Sequence, residues 1–251
     1  MTIDKHTVAL ISIVGSSLDM LGALYLAYDL LGGEHGPLRT LTRAVTYGAL
    51  FGVGYGLVLG PFFGVENGVA HGLTLGWEYS HAARGGPRRS AWYDAAMSGL
   101  RSAGFAVGGA HLYGWTFGII FGAAGLLGQM VAYRFGMRPD MDYQPGTRPR
   151  FTGRQFLGVL NRTVGYAVTG YVSALVAQTS ADALSVGLRF GLMIGAVTAV
   201  GSSLVPLVEW GADHVPEKRM GVAGVGLILL GFTLTSVQYW LAVLDVNVVG
   251  K

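Results

Sequence analysis

Apolar residues gather in long blocks along this chain, bounded by arginines, prolines and glycine-rich turns, over residues 7–31, 40–60, 66–83, 156–178, 182–208 and 220–245. A block of roughly 18 to 25 residues carries an α-helix across the ~30 Å of bilayer hydrocarbon, so the pattern predicts an all-α, polytopic transmembrane helix bundle. The stretch 93–134 reads either as one long helix, making seven spans, or as two short helices turning near His111 to Tyr113, making about eight.

Basic residues separate these counts. With seven spans the Lys and Arg residues divide almost evenly between the two sides. With eight, all of the 17 except Lys5, Lys251 and the intramembrane Arg189 fall on one side. Positive charge marks cytoplasmic loops, so eight spans are expected, with both termini outside a cytoplasmic (inner) membrane and the basic loops inside it. Arg101 then falls near mid-depth of its span, which suggests a short or re-entrant helix there. The Pro- and Arg-rich segment 137–155 reads as a cytoplasmic connector within a single membrane domain, residues 1–251.

Composition agrees with this picture: 51% of residues are hydrophobic, only 12% are charged, and 41 are glycine. A net charge of +3 is spread between apolar blocks and forms no patch, so nucleic acid is not an expected partner. The absence of cysteine removes disulfides, thiolate metal sites, iron–sulfur clusters and thiol chemistry. The apolar run from Val8 to Leu31 is long for a signal-peptide core and lacks a small-x-small cleavage pattern, so it reads as a retained span.

Self-comparison suggests a hairpin used three times, over 39–84, 97–136 and 156–208, flanked by spans 7–31 and 220–245. Arg43, Arg101 and Arg162 each open a segment with an aromatic residue four positions on (Tyr47, Phe105, Tyr166). Each is followed by a glycine-spaced block: Gly72 and Gly76, Gly114 with Gly118 and Gly122, and Gly187 with Gly191 and Gly195. On that alignment Arg and glycine are 29, 13 and 25 residues apart, so the middle copy is truncated. Gly48, Gly52, Gly56 and Gly60 recur every four residues. Such stripes let helix backbones approach closely in lipid, where no hydrophobic force drives helices together; they could equally line a narrow passage. The hairpins are loosely similar to those of mitochondrial inner-membrane translocase channels, a likeness that differs in span count and assigns no residues.

Ionisable side chains at membrane depth are the candidate chemistry. Asp19 and Arg189 sit inside spans at a cost of about 2.5 to 3.5 kcal/mol each, which invites a pair between them or a structural, snorkelling role. His71 and Glu78 share a helix face and His81 adjoins it, a row suited to a proton or cation route; the plainer alternative leaves Glu78 and His81 at the interface. Glu78-x-x-His81 is half of a di-iron motif whose second half is missing. No metal site or cofactor is expected, and haem held by His71 and His111 is the one alternative. Walker A, zinc-protease and nucleophile-elbow motifs are absent, so no enzyme activity is expected. The leading expectation is a channel or secondary carrier for an ion or small solute. The others are a structural or assembly subunit of a membrane complex and, third, a haem- or pigment-binding subunit. Expected partners are the bilayer and either further copies of the chain or other membrane subunits.

Overall fold

A computed structural model describes residues 2–30, 39–83, 91–135, 150–179, 181–214, 217–244 and 247–249. Among these are eight helices: α1 (Lys5–Leu30), α2 (Arg39–Leu59), α3 (Pro61–Ala83), α4 (Ala91–Tyr113), α5 (Trp115–Arg134), α6 (Gly153–Val176), α7 (Ala183–His214) and α8 (Glu217–Val243). Two three-residue strands, β1 (Thr2–Asp4) and β2 (Asn247–Val249), pair in parallel. Four helices contain stretches long and apolar enough to cross a membrane: Thr7–Leu30, Trp115–Ala132, Ala183–Val208 and Arg219–Val243. The stretch 93–134 is two helices, broken at Gly114. Most of the connector 137–155 lies outside the described residues.

The chain divides into two compact units, Met1–Thr42 with Val215–Lys251 and Arg43–His214. In the first, α1 packs along α8. Glycines spaced by seven make the contact. A Cβ on Gly15 would lie 2.7 Å from the Gly231 carbonyl, and one on Gly224 would lie 2.7 Å from the Gly22 carbonyl. The hydroxyls of Ser17, Thr233, Thr235 and Ser236 bond carbonyls one turn back, which hides their polarity within the helix.

In the second unit three helical hairpins, α2–α3, α4–α5 and α6–α7, close into a ring. Gly60 (φ +107°) and Gly114 (φ +90°) turn the first two, because the left-handed conformation that ends each leading helix strains any residue with a Cβ. Pro61 then opens α3, where its missing N–H costs nothing. Gly60 and Gly114 are thus turn residues, not packing residues. In the third hairpin Ala177 caps α6 and Gln178 follows at φ 49°.

Glycine packs these helices in two ways. Within hairpins it mostly meets backbone, with Gly109 against the Phe117 ring and Gly195 against the Thr163 side chain as exceptions: Gly72 lies over Ala44 and Gly48, Gly122 over Ser102 and Ala106, Gly191 over Thr163 and Ala167. Those partners stand one and five residues after Arg43, Arg101 and Arg162. The equivalent glycines are therefore Gly72, Gly122 and Gly191, and the matching of Gly72 with Gly114 and Gly187 made from sequence is out of register. The Arg-to-Gly separations become 29, 21 and 29 residues. The middle hairpin is shorter by four residues, about one helical turn, on each side of Gly114 relative to Gly60. Between hairpins glycine instead meets side chains: Gly108 receives Phe63, Gly125 receives Tyr166, Gly201 receives Phe51 and Gly54 receives Val197. These contacts join α3 to α4, α5 to α6 and α7 back to α2.

Inside the ring is an aromatic core of Tyr47, Phe51, Tyr55, Phe63, Phe105, Phe117, Phe121, Tyr166 and Phe190. The outside is apolar: Val53 and Leu57 of α2, Ile119 and Leu127 of α5, Val164 and Val168 of α6, and Leu188 and Leu192 of α7 are all exposed. At the entry to α6, Thr152 and Gln155 form a capping box, with Thr152 Oγ1 accepting from the Gln155 N–H at 3.2 Å. Gln155 Nε2 also donates to the Ser202 carbonyl at 3.4 Å. That carbonyl lacks its usual helical donor because the residue four positions on is Pro206.

Candidate functional site: a buried polar stripe on α3

The two faces of α3 differ sharply. Val65, Val69, Leu73 and Trp77 are exposed, whereas Asn67, His71, Thr74 and Glu78 are buried. Both sets follow the three- and four-residue spacing of a helix face, so the polar set forms one continuous stripe toward the ring interior. The other hairpins fill the same places with apolar groups. In the glycine register above, Asn67, His71 and Glu78 correspond to Phe117, Phe121 and Gly128 of α5, and to Val186, Phe190 and Val197 of α7.

The stripe is held by local bonds and by one partner helix. Asn67 Nδ2 donates to the Phe63 carbonyl at 3.0 Å and to the Gly104 carbonyl of α4 at 3.4 Å. Asn67 Oδ1 is buried and has no hydrogen-bond partner among the described residues. His71 Nδ1 lies 2.8 Å from the Asn67 carbonyl, which can only accept, so this nitrogen carries a proton and donates it. The imidazole is packed among rings: Phe51 stacks on it with centroids 4.6 Å apart, and Tyr55 and Phe105 stand at 5.5 and 5.8 Å.

Glu78 forms an ion pair with Arg101 of α4, both essentially inaccessible at 2% and 1% exposure. Arg101 Nε also donates to Thr74 Oγ1 at 2.9 Å, and Thr74 passes its own proton to the Ala70 carbonyl at 2.7 Å. The depth of Arg101 thus has an explanation other than a re-entrant helix. α4 is a continuous helix of 23 residues, and the guanidinium is neutralised sideways by Glu78, five residues before the end of α3. Burying such a pair is unfavourable unless its remaining donors are satisfied, and Thr74 takes one of them.

A second network continues from this pair. Gln129 Nε2 of α5 donates to the Tyr166 hydroxyl of α6 at 2.8 Å and reaches Ser102 Oγ of α4 at 3.5 Å. The Phe105 and Tyr166 rings touch, with centroids 4.8 Å apart. Phe105 meets Tyr55 of the first hairpin at 5.6 Å.

The remaining candidates are scattered. Arg162 is buried on the face of α6 that carries Tyr166, and Arg43 is partly buried on α2. Arg189 is exposed on α7. Asp19 belongs to the first unit, where it stands against Gly231 of α8. His111 is exposed and packs on Phe62 near the Gly60 turn at 4.4 Å, away from the buried cage that holds His71. The side chain of His81 lies outside the described residues. Among the described residues no group of three or more His, Asp or Glu is placed to hold a metal ion. Sequence reading missed Asn67 as a stripe member, Thr74 and Gln129 as bonded partners, and the pairing of Arg101 with Glu78.

Comparison of the chain with protein-family models, with curated proteins and with solved structures finds no match.

Proposed function

We propose that this is an eight-span protein of a cytoplasmic membrane, without enzyme activity, whose three-hairpin ring carries an ion or small solute along the polar stripe of α3. The observation that carries this reading is the asymmetry of the ring. Positions that are Phe, Val or Gly in two hairpins are Asn67, His71 and Glu78 in the first. A ring built only to be rigid gains nothing from polar side chains that are costly to bury at membrane depth. The aromatic core fills the interior, so the route is gated and opens by movement of Phe105, Tyr55 and their neighbours.

Each of α2, α3, α4 and α6 supports the span count by presenting an apolar outer face, as Val65, Val69, Leu73 and Trp77 do on α3. Their common glycine register supports descent from one hairpin, used three times in the same orientation. The deciding experiment is uptake into vesicles reconstituted with the pure protein. Flux that falls at least tenfold in His71→Ala and in Glu78→Gln, each first shown to elute as the same single species as wild type, supports the route; flux unchanged in both removes the stripe from it.

A second reading is an assembly subunit, favoured by how completely that aromatic core packs the ring. Purification in mild detergent separates the two: a stoichiometric complex with other membrane subunits supports assembly, and a homogeneous species of this chain alone supports the carrier.

A further inference from the structure

We infer that the solute is the proton, taken up at Glu66 and Asn67 in the part of α3 near the Gly60 turn and handed to His71. This rests on the carrier reading and names its substrate class. Asn67 is fully buried, at 0% exposure, and Glu66 is half-buried. The Asn67 side-chain nitrogen faces two carbonyls, of Phe63 at 3.0 Å and of Gly104 at 3.4 Å, and a carbonyl only accepts. Chemistry therefore fixes the orientation of the amide, and the end left over is its oxygen. Asn67 Oδ1 has no donor among the described residues, and neither has the buried Oε2 of Glu66, one residue before it. A buried acceptor left unmade is costly, and here two adjacent residues each carry one. What such a pair lacks is a hydrogen-bond donor or a positive charge.

The surroundings select the smallest cation. A Cβ added at Gly104 of α4 would lie 3.2 Å from Asn67 Oδ1, 3.3 Å from the Glu66 carbonyl and 3.0 Å from the Ala70 Cβ, so α4 presses close to this turn of α3. One helical turn further along the stripe stands His71, its next titratable side chain. Phe51, Tyr55 and Phe105 enclose that imidazole, with centroids 4.6, 5.5 and 5.8 Å away. A hydrated ion must displace several of these rings, whereas a proton passes from one side chain to the next. His71 Nδ1 keeps its own proton on the Asn67 carbonyl, so the proton in transit is gained and lost at Nε2. The Glu66 carboxylate takes a proton, and the new O–H is the donor that Asn67 Oδ1 lacks. Passing it on restores the carboxylate and makes His71 an imidazolium, which becomes neutral again by releasing it toward the far end of the stripe. The ion pair of Glu78 with Arg101 marks that end. The ring movement that the carrier reading requires at Tyr55 and Phe105 joins these steps.

The test uses the full-length protein in vesicles of zwitterionic lipid that hold a trapped pH-sensitive dye, with a potassium diffusion potential as driving force and protein-free vesicles to set the leak. Sodium and chloride influx are followed alongside with tracers. The expected result is acidification above the leak, slower in heavy water, with no matching sodium or chloride influx. Asn67→Leu, which keeps the size and removes the acceptor, lowers it at least tenfold, whereas Asn67→Asp, which keeps an acceptor oxygen, retains most of it. Glu66→Gln lowers it to the same extent. Wild type and every variant are first shown to elute as the same single species in detergent; where Asn67→Leu does not, Glu66→Gln at its half-buried position carries the test. Sodium or chloride uptake without acidification overturns the inference and leaves the carrier reading standing. Acidification unaltered in Asn67→Leu and Glu66→Gln overturns the seat. No flux of any of these ions above the leak overturns the inference and the ion-carrier reading together.

Discussion

The glycine contacts of the first hairpin permit a graded test, because the space at each position is known. A Cβ added at Gly68 would stand 2.8 Å from the Gly48 carbonyl and 2.9 Å from the Gly52 Cα; at Gly48 it would be 3.2 Å from the Gly68 carbonyl; at Gly56 the nearest atom is 3.8 Å away. Comfortable contact begins near 3.4 Å, so Gly68→Ala forces α2 and α3 apart by about half an ångström, while Gly56→Ala needs no movement. Overpacking against backbone, which has no rotamer to escape into, costs about 1–3 kcal/mol. Against this runs the gain from replacing a helical glycine, roughly 0.5–1 kcal/mol. The signs therefore differ by position. Gly68→Ala is expected to destabilise by about 1–2 kcal/mol, Gly48→Ala to fall close to neutral, and Gly56→Ala to stabilise slightly. Gly128→Ala on α5, with no atom within 4 Å of the added carbon, supplies the unopposed gain. The assay is loss of helical circular dichroism on titrating detergent-solubilised protein with sodium dodecyl sulfate, all four variants under one condition. Equal shifts in all four, or Gly68→Ala no less stable than Gly56→Ala, would refute close backbone packing as the reason for these glycines.

Three further outcomes follow from other contacts. Glu78→Gln or Arg101→Met alone leaves a buried charge without its counter-charge and is expected to lower stability by about 3–5 kcal/mol; the double variant should recover most of it in the same titration. Thr152→Ala should cost about 1 kcal/mol through the lost cap. Gln155→Leu should cost more, because it also strips the Ser202 carbonyl of its substitute donor; equal losses would exclude that second role. Finally, the absence of cysteine allows single-cysteine mapping without background. In right-side-out vesicles Gln178→Cys and Trp115→Cys should react with an impermeant maleimide directly, and Arg150→Cys only after permeabilisation. Direct labelling of all three, or of the last alone, contradicts eight spans with the basic loops inside.

Much of the helical layout was legible from arginine placement, because lipid tolerates only internally bonded backbone and topology follows charge. The division of 93–134 into two helices came from that bias and not from hydropathy, which is apolar on both sides of Gly114. The glycine register was not legible. In helices this rich in glycine, Gly114, Gly118 and Gly122 are equally good matches to Gly72 by composition, and only the backbone each one faces selects Gly122. The α1–α8 contact is illegible for a related reason: its glycines recur every seven residues and form no four-residue stripe. Along the sequence Glu78 reads as a neighbour of His71 and His81 on one helix. Its partner is Arg101, 23 residues away on the next hairpin, and no local spacing predicts a pair formed between two hairpins.

Pairing between hairpins also links two problems that looked separate. α2, α3, α4 and α6 fall short of the apolarity that marks the other four helices as spans, and the same helices supply Arg43, Asn67, His71, Glu78, Arg101 and Arg162. Average hydropathy counts a buried arginine paired with a buried glutamate as two exposed charges, although each removes the other from lipid. A helix that keeps its polar residues on one inward stripe and its valines and leucines outward meets lipid as an apolar helix, whatever its mean. On the eight-span proposal, the helices that look least like spans are the ones whose inward faces carry the buried polar side chains. On this argument Glu78→Leu alone, although it raises the apolarity of α3, should insert less well than wild type, because it leaves Arg101 as an unbalanced charge in the ring. A measured gain in membrane insertion or yield would mean that the helices are read singly and not as a ring.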